Sequence, residues 1–131
     1  MAPARIVFYR NSRGRLPAFD WLRELRQRDA ALYVCVAAAL HELGACGRAL
    51  GPPLCVHLAD GLYLLRPLAP KPCAPILYFF HGHEAVALGP VKRDGDPPPM
   101  QTLVSASHLR REFERDPWGR SHEEVVESED L

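Results

Sequence analysis

Two short groups of residues in the second half of the chain carry side chains suited to chemistry. Lys92 and Arg93 are adjacent cations that follow an apolar, strand-like run. His81 and His83 flank Gly82 in the break between two such runs. Neighbouring cations can bind phosphate oxygens, because Arg offers a planar fork of donors and Lys a mobile point charge. Two histidines separated by one residue are compatible with proton transfer or with metal binding.

The cysteines leave the role of the two histidines open. The chain has 4 cysteines and no C-x-x-C pair, so we expect free thiols rather than a disulfide framework. The spacing of cysteines and histidines matches no zinc motif, and we expect no cofactor. The histidines are interpreted as an exposed turn, as a proton-transfer pair, or as part of a zinc site with Cys46, Cys55, His57 and Cys73.

Length and composition indicate one domain with a real core. The chain has 131 residues, 47% of them hydrophobic. It contains no run approaching the ~18 uninterrupted apolar residues of a membrane helix and no signal-peptide core, which predicts a cytoplasmic protein without membrane contact. Residues 1–115 carry 15 Lys/Arg against 10 Asp/Glu, whereas residues 116–131 carry 1 against 6. We predict a basic domain over 1–115 with a polyanionic partner and a disordered acidic tail over 116–131.

Hydrophobic periodicity predicts the element order β-α-α-β-β-β-α. Repeats at i, i+3 and i+4 predict the helices, with Asp29 capping the second and Asp96 the third. Short β-branched and aromatic runs predict the strands. We expect an α+β fold, with a small, mainly antiparallel sheet that carries the helices on one face and leaves the other open. The predicted elements lie near residues 6–9, 17–27, 30–43, 57–66, 76–80, 84–91 and, for the last helix, from the proline cluster to 113.

Several motifs, in this order, resemble the RelE/HigB-like toxins of type II toxin–antitoxin modules, in particular the phage-derived HigB-like branch. They are "FYR" followed by "GRLPAFDWLREL", then "DGLYLLR", then "ILYFFHG" and a strand ending in "VKR". The resemblance spans residues 5–113. It implies a RelE-like fold and a metal-independent endoribonuclease that cuts messenger RNA in the ribosome and inhibits growth. It also implies a helix-turn-helix antitoxin that neutralises the toxin in a hetero-oligomer.

The resemblance assigns the catalytic residues position by position. Arg66 matches the arginine that ends the family's second strand, and Lys92 and Arg93 match the basic pair that closes the fourth. Attack of a ribose 2′-hydroxyl on the adjacent phosphate needs cations to hold the phosphate and groups that move protons. His81 and His83 are the candidates for proton transfer.

Three arginines in the turn after the first strand are candidates for contact with the RNA backbone, where each neutralised phosphate adds salt-dependent affinity. They are Arg10, Arg13 and Arg15.

The chain departs from the family pattern at three places. Ala74-Pro75 stands where relatives often have an arginine, Leu64 where they often have an acid, and Asp94-Gly95-Asp96 near an expected basic residue. Two further hypotheses therefore remain. The chain could be a weakened or inactive toxin-fold protein that binds an antitoxin or RNA without cleavage, or a metal-binding regulatory domain.

Overall fold

The structure is a computed structural model that describes residues 3–67, 74–91 and 98–123. Lys92, Arg93, Asp96 and Cys73 therefore lie outside the described residues. Within those ranges the predicted α+β class is confirmed, as three α-helices and a mixed, mainly antiparallel sheet. The elements are β1 (Arg5–Tyr9), α1 (Pro17–Arg28), α2 (Ala30–Cys46), a 3-10 turn (Gly47–Ala49), β2 (Cys55–His57), β3 (Leu62–Leu65), β4 (Ile76–His81), β5 (Glu84–Pro90), α3 (Met100–Arg115) and β6 (Ser121–His122).

Helices α1 and α2 form the predicted pair because local signals separate them. Pro17 occupies the first turn of α1, where its missing N–H costs nothing. The Asp29 carboxylate accepts a 3.1 Å hydrogen bond from the backbone N–H of Leu32, which confirms the predicted cap of α2. Helix α2 ends at Cys46 and is followed by Gly47, whose φ of 57° is a conformation that glycine adopts without strain.

The sheet order is β2-β3-β4-β5-β1-β6. Strands β2 to β5 are consecutive antiparallel neighbours, as predicted for the segments near 57–66, 75–81 and 84–91. Strand β1 pairs with β5 in parallel, with Arg5 opposite Glu84, and the short β6 pairs with the other side of β1. Two of the six strands described, β2 and β6, were not predicted as separate strands.

The segment predicted as one strand near 57–66 is a hairpin. Asp60 and Gly61 have φ of 53° and 75°, and two successive positive values of φ are what a type I′ hairpin turn requires. The chain therefore reverses before Leu62, and β2 and β3 pair in antiparallel register with Val56 opposite Leu64.

Both faces of the sheet are covered, so the expectation of helices on one face alone was wrong. Alternate strand residues such as Phe8 and Tyr78 pack with α1 and α2 in one core. The intervening residues, including Tyr9 and Phe79, pack with Ala106 and Phe113 of α3 in a second core. The signal was present in β4, because a strand that is apolar at five successive positions is typical of a sheet covered on both sides.

Helix α3 begins at Met100, with Pro99 at its N-cap position and no capping side chain among the described residues. Asp96, the predicted cap, lies outside those residues. After α3 the chain turns back, and Ser121–His122 pairs with β1. Residues 116–123, the first part of the segment predicted as a disordered tail, form this turn and strand, while residues 124–131 lie outside the described residues.

One apolar helical stretch, Ala30–Ala49, is long enough to cross a membrane and has a mean hydropathy of 1.5. The core helix of a water-soluble domain passes the same test. Residues Val36, Leu40 and Leu43 of this stretch are buried in the core beneath the sheet. Their packing favours a core helix.

We expect Leu40→Ala to lower the free energy of unfolding by about 2 to 5 kcal/mol, because it removes a fully buried side chain and leaves a cavity. Urea denaturation followed by circular dichroism measures this change. The matched control is Val104→Ala, which truncates an aliphatic side chain on α3 that is 50% exposed and should cost less than about 0.5 kcal/mol. Equal losses in the two variants would contradict the assignment of α2 to the core.

Candidate phosphate-binding site

The carboxyl-terminal ends of three strands, β1, β3 and β5, lie at one end of the sheet. Leu65 at the end of β3 pairs with Ile76, which in turn pairs with Pro90 at the end of β5. Strand spacing of about 4.8 Å then puts the ends of β3 and β5 roughly 10 Å apart. Strand β1 runs parallel to β5 and ends at the same edge. We call this end of the sheet the basic end, and define it by Arg10, Arg13, Arg15, Arg66 and Val91.

Arg66 directly follows β3 at the basic end. Its backbone N–H donates a 2.7 Å hydrogen bond to the carbonyl of Leu54, which fixes the backbone of the strand end. Pro67 follows and cannot donate to a further ladder bond. Arg66 is therefore a half-exposed residue whose backbone has a fixed position at this end of the sheet.

Strand β5 also ends at the basic end of the sheet. The backbone N–H of Val91 donates to the carbonyl of Pro75 at 2.9 Å, and the Val91 side chain is buried. Lys92 and Arg93 lie outside the described residues.

The turn after β1 is ordered by the side chain of Asn11. Its carboxamide oxygen accepts hydrogen bonds from the backbone N–H groups of Arg13 and Arg15, at 3.0 Å and 2.9 Å. Gly14 supplies the positive φ of 77° that the turn needs. Arg13 and Arg15 are exposed, so the turn presents two cations to solvent in a fixed loop.

Arg10 is held more tightly than its neighbours in the turn. Its backbone N–H donates to the carbonyl of Arg120 at 2.7 Å, and its guanidinium lies 3.3 Å from Nδ1 of His122. Its Nε is buried without a hydrogen-bond partner among the described residues. Arg10 is therefore less suited to contact RNA than the exposed arginines. Sequence reasoning missed Arg120 at this edge, because only the long-range pairing of β1 with β6 places it there.

His81 and His83 lie at the opposite end of the sheet. Strand β4 runs from Ile76 at the basic end to His81, five residues or about 17 Å away. The His81 ring packs edge-on against Phe113 with centroids 5.1 Å apart, and its Nδ1 lies 3.6 Å from the Glu84 carboxylate. His83 is exposed in the hairpin turn. Neither histidine can serve the same phosphate as Arg66, contrary to the joint site expected from the sequence.

The described residues bring together no group of three or more His, Cys, Asp or Glu side chains that could hold a metal ion. Cys55 lies in the core with its thiol sulfur 2.9 Å from the Tyr78 hydroxyl. Burial, followed by the contact with Cys55, raises the pKa of Tyr78 well above its ordinary value. Cys55 is thus a packing residue, and it does not join the histidine pair of the hairpin turn.

Tyr9 links β1 to α3 through a partly buried hydrogen bond. Its phenol donates a 2.5 Å hydrogen bond to the Glu112 carboxylate. Burial first, and then this hydrogen bond, raises the pKa of Tyr9 to about 12, while the charge of Arg120 acts in the opposite direction. The phenol therefore stays protonated at neutral pH and anchors the second core.

A search against models of known protein families finds no match, and no curated protein is significantly similar to this chain.

We expect Tyr9→Phe to lower the free energy of unfolding at pH 7 by about 1.5 to 3 kcal/mol, because it removes a hydrogen bond to a charged group. The pKa of Tyr9 is raised in the folded state, so its contribution to stability is complete below pH ~10 and is lost as the pH rises through about 12. Urea unfolding at pH 7, 10 and 11 should therefore show the two proteins converging in stability above about pH 10. A constant difference across this range would contradict the proposed role of the phenol.

Proposed function

We propose that this chain is the toxin of a type II toxin–antitoxin module, a RelE/HigB-like endoribonuclease that cleaves messenger RNA on the ribosome. The observation that carries the proposal is the convergence of Arg66, the end of β5 and the turn after β1 on the basic end of the sheet. The motif resemblance over residues 5–113 and the α+β fold support it. The proposal includes a cytoplasmic location and a helix-turn-helix antitoxin as partner.

The proposed chemistry needs cations more than any other group. Attack of the ribose 2′-hydroxyl adds negative charge to the phosphate, and donors fixed in advance stabilise that charge as it develops. Arg66 supplies a planar fork on a rigid strand end, and Lys92 and Arg93 would approach the same phosphate from the end of β5. Arg13 and Arg15 would hold the neighbouring RNA backbone electrostatically.

Two departures from the family pattern favour a second candidate function, the binding of RNA or antitoxin without cleavage. Leu64 and Pro75, which stand where relatives often carry an acid and an arginine, are buried. Neither position offers a charged group to the basic end. The two histidines considered for proton transfer lie about 17 Å away along β4. The nuclease proposal therefore requires the protons to be moved by groups other than His81 and His83.

The test of the phosphate site is Arg66→Ala in cells that express the chain without its partner. We expect growth arrest to be lost and cleavage of translated messenger to fall about 10²- to 10³-fold, as for removal of one donor to a developing charge. The double variant with Lys92→Ala should lose little beyond the worse single variant, because groups that stabilise one charge act as a unit. Primer extension on total RNA measures cleavage.

The control is Arg23→Ala, which removes an exposed arginine on α1 and should leave both readouts unchanged. Circular dichroism must show each variant folded. A folded, partner-free wild type that neither arrests growth nor cuts messenger would reject the nuclease and favour the non-cleaving binder.

His81→Gln tests whether the end of the sheet opposite Arg66 takes part in cleavage. We expect this variant to cleave messenger at the wild-type rate, within about a factor of two, because His81 is remote from Arg66. The same primer-extension assay reports the result. A loss as large as that of Arg66→Ala would mean that the phosphate binds elsewhere than at the basic end.

A further inference from the structure

A groove of about 560 Å³ lies at the end of the sheet opposite the basic end. It runs between the start of β1, the β4–β5 hairpin and the loop that follows α3, and Val7 contributes to its lining. Two further features of the lining matter for binding. One is the exposed Trp118, and the other is the charged group in which Arg5 pairs with both Glu84 and Glu123. Neither takes part in the proposed cleavage.

Trp118 forms one wall of the groove and is 93% exposed, the most exposed large hydrophobic side chain among the described residues. The loop that carries it is held in place. The Asp116 carboxylate accepts a 3.0 Å hydrogen bond from the N–H of Gly119, and its carbonyl accepts one from the N–H of Arg120 at 3.0 Å. A Cβ at Gly119 would collide with the Asp116 carboxylate, so a larger residue there would displace the side chain that accepts this hydrogen bond. The indole is therefore presented to solvent by an ordered loop.

The charged part of the lining carries an excess of negative charge. Arg5 lies 2.6 Å from Glu84 and 3.1 Å from Glu123, so one guanidinium faces two carboxylates. Glu123 remains 55% exposed and Glu84 21% exposed, so both can be reached from the groove. The side chains of Arg5, Glu84 and Glu123 together carry a net charge of −1 beside the indole.

We propose that this groove binds an arginine side chain presented by a partner polypeptide, with the guanidinium stacked on Trp118 and paired with Glu123. A cation over an indole is attracted by the negative face of the ring, and the excess carboxylate complements its charge. A planar guanidinium satisfies both contacts at once, whereas an ammonium cannot stack. The proposal goes beyond the cleavage activity and holds whether or not the chain cuts RNA.

The experiment is an NMR titration of the whole chain with the peptide acetyl-Gly-Arg-Gly-amide. The reporter is the indole N–H signal of Trp118, which Trp118→Phe identifies. We expect a saturable shift with this peptide, binding weaker by about threefold or more with the lysine analogue, and no shift with the glutamine analogue. A shift equal for arginine and glutamine, or none at the highest soluble peptide concentration, would overturn the proposal.

Three charge variants test the source of the attraction. Glu123→Gln removes the excess negative charge and should weaken binding about threefold or more. Arg5→Gln frees both carboxylates and should strengthen binding, a change in the opposite direction that simple damage to the site would not produce. Glu24→Gln, an exposed carboxylate on α1, is the matched control and should leave affinity unchanged.

The amide spectrum must show that each variant keeps its fold. Weaker binding in a folded Arg5→Gln, or an equal loss in Glu24→Gln, would overturn the proposal. A shift of the indole signal by a short single-stranded RNA but not by the arginine peptide would do so too, since it would assign the groove to nucleic acid.

Discussion

The fold depends on the insertion of β1 between β5 and β6. Its residues Val7, Phe8 and Tyr9 are all at least 98% buried, and they alternate between the two cores. Because β1 pairs on both sides, it joins the antiparallel β2–β5 meander to the segment after α3. The Tyr9–Glu112 hydrogen bond then fixes α3 against the second face. Without this strand neither core would be closed, and the turn carrying Arg13 and Arg15 would have no fixed place.

Local elements could be predicted from the sequence because local interactions determine them. The cap at Asp29, the apolar stripe of α1 and the β4–β5 hairpin need only residues a few positions apart. The parallel pairing of β1, the β6 strand and the covering of the second face by α3 depend on contacts between distant segments. A two-residue strand such as Ser121–His122 has no periodicity that could predict it.

The same distinction between local and long-range interactions explains which parts of the candidate site could be predicted. A strand-end position for Arg66 could be predicted, because an apolar run followed by Arg-Pro ends there. The error over His81 and His83 has a geometric cause. A hairpin reverses the chain, so a residue at its turn lies at the opposite end of the sheet from the residues that precede β4 and follow β5. The result is a molecule with arginines at one end and a carboxylate-bearing groove at the other.

The pairing of Arg5 with Glu84 spans 79 residues, and this has a consequence for synthesis of the chain. At about 5 to 20 residues per second, β1 is synthesised roughly 4 to 16 s before its partner strand. The α1–α2 hairpin needs only local contacts and follows β1 directly. It can therefore form early and cover Phe8 before β1 pairs with β5. The strand ends that form the basic end come together only after β5 has been synthesised.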